Sequence, residues 1–149
     1  MNSLREPMIQ SKGKIARVRH GLLHFAEVEL TVSSADEMVV TFDCHGEGFI
    51  SQGYIEVVPA KGYDDWKHGA LAGITYALGK CSDHPCNVTV TYIAGLTTDT
   101  NPSIVGGAAI QAIWSALQYE PTAEEQTHIE KIVFQSFTQP FDHVPDFGS

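Results

Sequence analysis

Three cysteines and two histidines are the residues whose chemistry stands out first in this sequence. Cys44 and His45 are adjacent, and Cys81, His84 and Cys86 follow within one short segment. Zinc takes four thiolate or imidazole ligands in a tetrahedral array, so these five side chains form a candidate metal set. Cys-x-x-His-x-Cys is not a recognised zinc-knuckle spacing, and two buried thiols with a loop histidine are the alternative. The sequence therefore predicts no cofactor, with zinc or a reversible disulfide between Cys81 and Cys86 as alternatives.

The remaining candidates for acid–base chemistry are His20, His24, Asp64 and Asp65. A catalytic pair needs hydrogen-bond reach and a shifted pKa, and sequence spacing provides neither. Asp64 and Asp65 are better explained as acids in a first helical turn, where the helix dipole favours negative charge. The sequence contains no nucleophile elbow, dinucleotide fingerprint or phosphate-loop motif. We therefore expect a non-catalytic binding domain, with a metal-dependent enzyme using the Cys/His set as the alternative.

Charge is distributed unevenly along the chain. The formal net charge is −9, with +4 in residues 1–20 and −13 in the remainder. An acidic body favours a basic protein partner through long-range steering. A nucleic-acid binder needs a basic footprint, and only the first strand supplies one, at Lys14, Arg17 and Arg19. RNA or ribosome binding through these three residues is therefore the weaker expectation.

Composition also bears on the compartment. Three cysteines, an odd number, fit a reducing cytoplasm better than a disulfide framework. No apolar run approaches the roughly 20 residues that span a bilayer, so no membrane association is expected. Residues 1–12 lack the apolar core of a signal peptide. We expect a cytoplasmic protein.

The hydrophobic periodicity predicts the element order β-β-β-α-β-α. Period-2 alternation indicates strands over 14–19, 23–32, 38–44 and 87–94, and the turn at 33–37 predicts an antiparallel hairpin between the second and third strands. Helices are predicted over 63–78, ending at Gly79, and over 103–117, with a third from residue 121. The expected organisation is a flexible leader (1–12), one domain (13–138) and a tail (139–149) that is docked or disordered.

The helix after Asn101 is apolar almost all round, which predicts burial on most of its surface. Asn101 and Pro102 read as an N-cap followed by proline at the first helical position. Glycines at 69 and 73 in the preceding helix predict close packing against the small residues 106–109. An apolar face of residues 104–117 also makes a homodimer a candidate arrangement. Trp66 and Trp114 are expected in the core.

Several segments resemble the fourth domain of translation elongation factor G. Residues 58–69 resemble that domain's valine-proline turn leading into a helix with an early glycine. Residues 88–95 resemble its fourth strand ending in glycine, and residues 97–103 with Ala108 resemble the following loop and small-residue helix. The resemblance implies an α+β two-layer sandwich: a mostly antiparallel four-stranded sheet with two helices on one face and an extra C-terminal helix.

The resemblance also bears on function. In elongation factor G the loop equivalent to 95–101 enters the decoding site with a histidine near its apex, and Thr98 stands at that histidine's place here. No GTPase motif accompanies the domain in this sequence. Because loops on rigid scaffolds commonly carry function, partner contacts are expected from two loops. Their residues are His20, Gly21, Leu22, Leu96, Thr97, Thr98, Asp99, Thr100 and Asn101.

Overall fold

A computed structural model describes residues 8–49, 54–81 and 84–148. Five strands form one sheet: β1 (Ile9–Arg19), β2 (Leu22–Ser34), β3 (Val39–Phe42), β4 (Ile55–Val57) and β5 (Cys86–Leu96). The helices are α1 (Asp64–Cys81), α2 (Pro102–Ala116) and α3 (Ala123–Phe134), and a 3-10 turn covers Ser136–Thr138. The predicted α+β class is confirmed. Among the described residues no helix combines the length and apolarity needed to cross a membrane.

The sheet is mixed, with the strand order β1-β2-β5-β3 and β4 beside the far end of β5. The predicted hairpin between the second and third strands is wrong, because β5 lies between them and pairs in parallel with β3. After β2 the chain crosses the start of β5, where the Ala35 N–H donates to the Pro85 carbonyl at 3.1 Å. The side chains of Val88, Val90 and Ile93 are fully buried, and this apolar strand takes the central position.

A long hairpin of β1 and β2 forms one side of the sheet. His20 and Gly21 both have positive φ (54° and 77°), as a two-residue type I′ turn requires, and they form the tip of this hairpin in the first of the two predicted contact loops. β1 begins at Ile9 and pairs with β2 from its first residue. Residues 9–12 therefore belong to the sheet and not to a flexible leader, while residues 1–7 lie outside the described residues.

One face of the sheet carries the helices and the core. The β2 side chains on that face are 2% exposed or less: His24, Ala26, Val28, Leu30 and Val32. The alternate β2 side chains are partly exposed on the opposite face, which no helix covers among the residues that the structure describes. A sheet with one packed face and one solvated face is the usual arrangement for antiparallel strands.

The α2 helix is buried on nearly its whole surface, as predicted. The Asn101 side chain accepts the Ile104 N–H at 3.0 Å and donates to the Ser136 hydroxyl at 3.0 Å, so it caps α2 and links it to the turn after α3. Trp114 is buried, and its indole N–H donates to the Ala77 carbonyl of α1 at 3.1 Å. Because the apolar surface of α2 is covered within the chain, the homodimer face predicted over 104–117 is not available.

The glycines of α1 bring the two helix backbones together. A Cβ atom built on Gly69 would lie 2.2 Å from the Pro102 carbonyl oxygen, and one on Gly73 would lie 2.2 Å from that of Gly106. These distances confirm the predicted side-by-side packing. Gly79 does not end α1 as predicted: the helix continues to Cys81, with Gly79 on its exposed side.

The C-terminal elements pack beside α2. Thr122 and Glu125 form a reciprocal capping box at the start of α3. Phe137 lies in the 3-10 turn that follows α3. The tail is docked: Phe147 is buried, and its carbonyl oxygen lies 2.6 Å from the His128 Nε2 atom.

The helix contact predicts the effect of adding one methyl group to α1. Gly73→Ala forces a Cβ against the α2 backbone and is expected to lower the free energy of unfolding by about 1–3 kcal/mol, the usual cost of overpacking. Gly79→Ala, in the same helix with nothing within 4 Å of the new atom, is expected to raise it by up to about 1 kcal/mol. Urea denaturation of both variants measures the difference. Equal effects from the two substitutions would contradict the packing.

Candidate functional site

The candidate metal ligands fall into two separate groups. Cys44 follows β3, and its thiol lies 3.6 Å from the Val90 carbonyl. Phe42 is paired with Val90, four residues along β5 from Cys86, which corresponds to about 13 Å at the rise of a strand. His45 is bound to the Asp43 carboxylate at 2.7 Å. The predicted five-residue set is therefore not assembled, and the described residues contain no group of three or more His, Cys, Asp or Glu side chains placed to hold a metal ion.

All three cysteines are present as thiols. The Cys81 thiol lies 3.1 Å from the Ala77 carbonyl of its own helix, and the Cys86 thiol lies 3.6 Å from the carbonyl of His84. Burial raises the pKa of Cys44, and burial followed by the neighbouring Cys86 raises the pKa of Cys81. A raised pKa disfavours the thiolate, which is the form that binds metals and acts as a nucleophile.

The candidate nucleic-acid-binding residues of β1 each lie over an aromatic ring. Lys14 lies over the Phe25 ring at 6.0 Å, while Arg17 and Arg19 lie over Phe134 at 5.4 and 4.8 Å. Lys14 is on the open face of the sheet and the two arginines are on the helical side, so the three do not form one basic surface. This arrangement gives no support to a phosphate-binding patch.

The candidate acid–base residues are dispersed as well. His24 is buried in the helical face against the rings of Phe134 and Phe137, and its Nδ1 atom lies 3.2 Å from the Leu22 carbonyl. Asp64 and Asp65 occupy the first turn of α1, as predicted. The turn residue His20 is exposed at the hairpin tip.

Of the two predicted contact loops, the first is accessible and the second only in part. The turn at His20, Gly21 and Leu22 is exposed. In the second loop Thr98 is exposed, Leu96, Thr97 and Asp99 are half-buried, and Thr100 and Asn101 are buried. The Thr100 hydroxyl donates to the Phe25 carbonyl and accepts the Leu96 N–H, both at 2.6 Å. Thr100 and Asn101 therefore hold the loop in place and are not free for a partner.

The open face of the sheet carries an apolar surface that sequence reasoning missed. Ala26 of β2 pairs with Gly95 of β5, and the Thr100 hydroxyl bridges their neighbours Phe25 and Leu96 through hydrogen bonds to both backbones. On the other side of β5, Ile55 of β4 pairs with Leu96. Ala16 pairs with Phe25 on the other side. These residues form a row across four strands, which we call the apolar row: Ala16, Phe25, Leu96 and Ile55.

Two further residues extend this surface onto the projecting hairpin. Val18 and Leu23 are paired beside the row and are 62% and 39% exposed, and Ile55 is 45% exposed. The other end of the same face is polar, with Gln10 paired to Thr31 and Thr31 to Thr89. An uncovered sheet face normally carries polar residues. The sequence contained one sign of this surface, because the apolar residue Phe25 lies on the same strand face as Glu27 and Glu29.

Tyr63 fixes the position of β4, the strand that completes the row. Its hydroxyl donates to the Glu56 carboxylate, and Gly46 packs directly against Val57. Burial, followed by the hydrogen bond and charge of Glu56, raises the pKa of Tyr63 to about 12. Tyr63 also has a φ of 59°, a left-handed conformation that is unusual for a bulky residue. The Tyr63–Glu56 bond therefore ties the entry of α1 to β4.

Comparisons with known proteins bear on the fold alone. The chain matches no family model and no curated protein sequence. A solved structure of a protein from Thermus thermophilus aligns with a TM-score of 0.58 at 16% identity, over 76% of this chain and 16% of that one. Homoserine kinase from Cytophaga hutchinsonii (TM-score 0.42, 12% identity, 97% and 46% coverage) and mevalonate kinase from a methicillin-resistant Staphylococcus aureus (0.40, 14%, 93% and 48%) are more distant. The chain spans less than half the length of each.

Removing the Tyr63 hydroxyl is expected to loosen β4. Tyr63→Phe loses a hydrogen bond to a charged group, at an expected cost of about 1 kcal/mol because the site is partly exposed. Hydrogen exchange of the Val57 backbone N–H should become faster in the Tyr63→Phe variant.

The same hydrogen bond predicts a pH dependence of stability. Because folding raises the pKa of Tyr63, the folded state favours the neutral phenol, and the contribution of its hydroxyl to the free energy of unfolding is fully present below pH 10. This contribution is lost as the pH rises through about 12.

Tyr54→Phe provides the matched control. Tyr54 precedes β4, its side chain is 84% exposed, and its carbonyl oxygen accepts hydrogen bonds from the backbone N–H and the hydroxyl of Thr97. We expect no change in stability or exchange from this substitution. An equal effect of both substitutions, or none from either, would show that the Tyr63 hydroxyl does not hold β4.

Proposed function

We propose that this chain is a non-catalytic domain that binds a protein partner through the apolar row and the adjoining hairpin tip. The observation that carries the proposal is the uncovered row, with Val18 and Leu23 beside it. Contiguous apolar residues on an exposed face are typical of protein interaction sites. Phe25 and Leu96 are fixed by the Thr100 bridge, so the surface is formed before a partner binds.

The charge of the chain supports a basic protein as the partner. The net charge of −9 attracts a basic protein over long range, and Asp99 lies in the loop that adjoins the row. The β1 bases that a nucleic acid would contact are divided between the two faces of the sheet, with Lys14 on the open face and Arg17 and Arg19 on the helical face. RNA binding is therefore the less supported alternative. The three thiols fit a reducing cytoplasm.

Kinship with the fourth domain of elongation factor G is part of this proposal. The helix with an early glycine, the strand ending at Gly95 and the capped small-residue helix stand in the order that the resemblance implies. The apex residue of the loop is Thr98, which is exposed. A shared fold does not by itself determine function, and it is the exposed surface that favours a protein partner.

A capture experiment tests the proposal. Immobilised protein is exposed to lysate at low salt, and recovered proteins are identified by mass spectrometry. Leu23→Glu places a charge beside the row, and we expect recovery of the bound protein to fall at least about tenfold, since charges are disfavoured in interface cores. Thr41→Glu, at the polar end of the same face, should leave recovery unchanged.

The identity of the recovered protein decides the details. A basic protein whose purified form binds wild type and Thr41→Glu, but not Leu23→Glu, supports the proposal. Recovery of nothing above background, or equal capture by all three proteins, would overturn it. Both side chains are exposed, so thermal unfolding of the variants should match that of wild type.

A further inference from the structure

A groove with a volume of about 250 Å³ lies between β1, α2 and α3. Its floor is apolar and buried, and is formed by Ile15, Ile110, Trp114, Ile129 and Val133. Ile15 projects from the helical face of β1, whereas the apolar row lies on the opposite face of the sheet. The groove therefore lies on the other side of the sheet from Phe25, Leu96 and Ile55, and Ala16 is the one member of the apolar row that borders it.

Three charged residues border the groove: Arg17, Glu130 and Lys14. Lys14 faces Gln111 through its backbone N–H, and its ammonium lies over the Phe25 ring on the open face, so Arg17 and Glu130 supply the two side-chain charges of the rim. The Arg17 Nη1 and Glu130 Oε2 atoms are 3.7 Å apart, beyond normal hydrogen-bond length, and the two side chains are 46% and 35% exposed. The Gln126 amide donates to the same Glu130 oxygen at 3.0 Å. Gln111 accepts the Lys14 N–H through its oxygen at 3.1 Å, which leaves its amide nitrogen as a further donor at the rim.

The Arg17–Glu130 ion pair is expected to add little to the stability of the fold. Exposed pairs of this kind contribute between nothing and about 1 kcal/mol. The stacking of Arg17 on Phe134 holds the guanidinium beside the groove without using its N–H donors. Those donors can meet a carboxylate in a bidentate geometry, and the Glu130 carboxylate can accept an ammonium group.

We propose that the groove binds a free α-amino acid with an apolar side chain. The carboxylate of the ligand pairs with Arg17 and the ammonium of the ligand pairs with Glu130. The side chain of the ligand packs against the apolar floor of the groove. A ligand with a single charge would satisfy one rim residue and oppose the other, whereas a zwitterion satisfies both. The groove is slightly smaller than the roughly 300–1,000 Å³ of most ligand pockets, which limits the ligand to one side chain such as that of leucine, methionine or phenylalanine.

Leucine and its two half-ligands test this assignment. Binding to ¹⁵N-labelled protein is followed by chemical-shift titration with leucine, 4-methylpentanoate, which lacks the ammonium, and 3-methylbutylamine, which lacks the carboxylate. We expect leucine to bind at least about tenfold more tightly than either half-ligand, with shifts at Ile110, Ile129 and Val133. Methionine and phenylalanine titrations follow the same protocol.

Variants of the rim separate the two charges. Arg17→Gln should weaken leucine binding about tenfold while leaving 3-methylbutylamine binding no weaker, because the amine loses only the rim charge that opposes it. Glu130→Gln should weaken leucine binding equally while leaving 4-methylpentanoate binding no weaker, for the same reason. Lys12→Gln is the matched control, since Lys12 is on the same strand and pairs with Glu27, at 3.2 Å, on the open face. It should leave all three titrations unchanged.

Two outcomes would overturn the proposal. The first is the absence of shifts with leucine, methionine and phenylalanine at millimolar concentration. The second is binding in which a half-ligand matches leucine or the shifts fall outside the groove. Thermal unfolding of Arg17→Gln and Glu130→Gln should stay within a few degrees of wild type, so a lost titration reports the rim and not a loss of folding.

Discussion

The close approach of α2 to its neighbours is the constraint on which the rest of the structure depends. Gly69 and Gly73 let α1 contact the α2 backbone from one side, and Gly13 of β1 does the same from another. A Cβ on Gly13 would lie 1.9 Å from the Ala108 carbonyl oxygen, so no other residue fits there. These contacts determine which side of α2 is exposed to solvent. The exposed side carries Gln111 and Ser115.

Packing all of this apolar surface on one side of the sheet leaves the other side uncovered. The hydrophobic core includes both tryptophans and the tail residue Phe147 in one cluster of the described residues. The opposite face has no second layer among the described residues, and its side chains meet solvent. Short elements then shape that face: Tyr63 holds β4 through Glu56, and Thr100 joins Phe25 to Leu96. The apolar row is therefore held in place by the hydrogen bonds of Tyr63 and Thr100.

The candidate site was only partly visible in the sequence. The loop composition around His20 and Thr98 indicated accessible segments, and both residues are exposed. Thr100 and Asn101 carry the same polar residue types, yet both are buried because each completes a hydrogen-bond set of the fold. The cysteine and histidine spacing suggested a metal, but β5 separates Cys44 from Cys86 along its length. Residue type alone does not show whether a polar loop residue is exposed or buried, or whether cysteines and histidines meet in the folded chain.

Local patterns in the sequence determined the elements, because helix caps, alternation and turn residues act within a few positions of one another. Asn101 before Pro102, the glycines of α1 and the His20–Gly21 turn were all readable in this way. The order of strands was decided only by the tertiary structure. Val39 pairs with Asn87 across 48 residues, and no local pattern specifies that β5, with its buried apolar side chains, lies between β3 and β2. The groove and the apolar row depend on the same long-range pairings, since each combines residues from elements that meet only when the chain is folded.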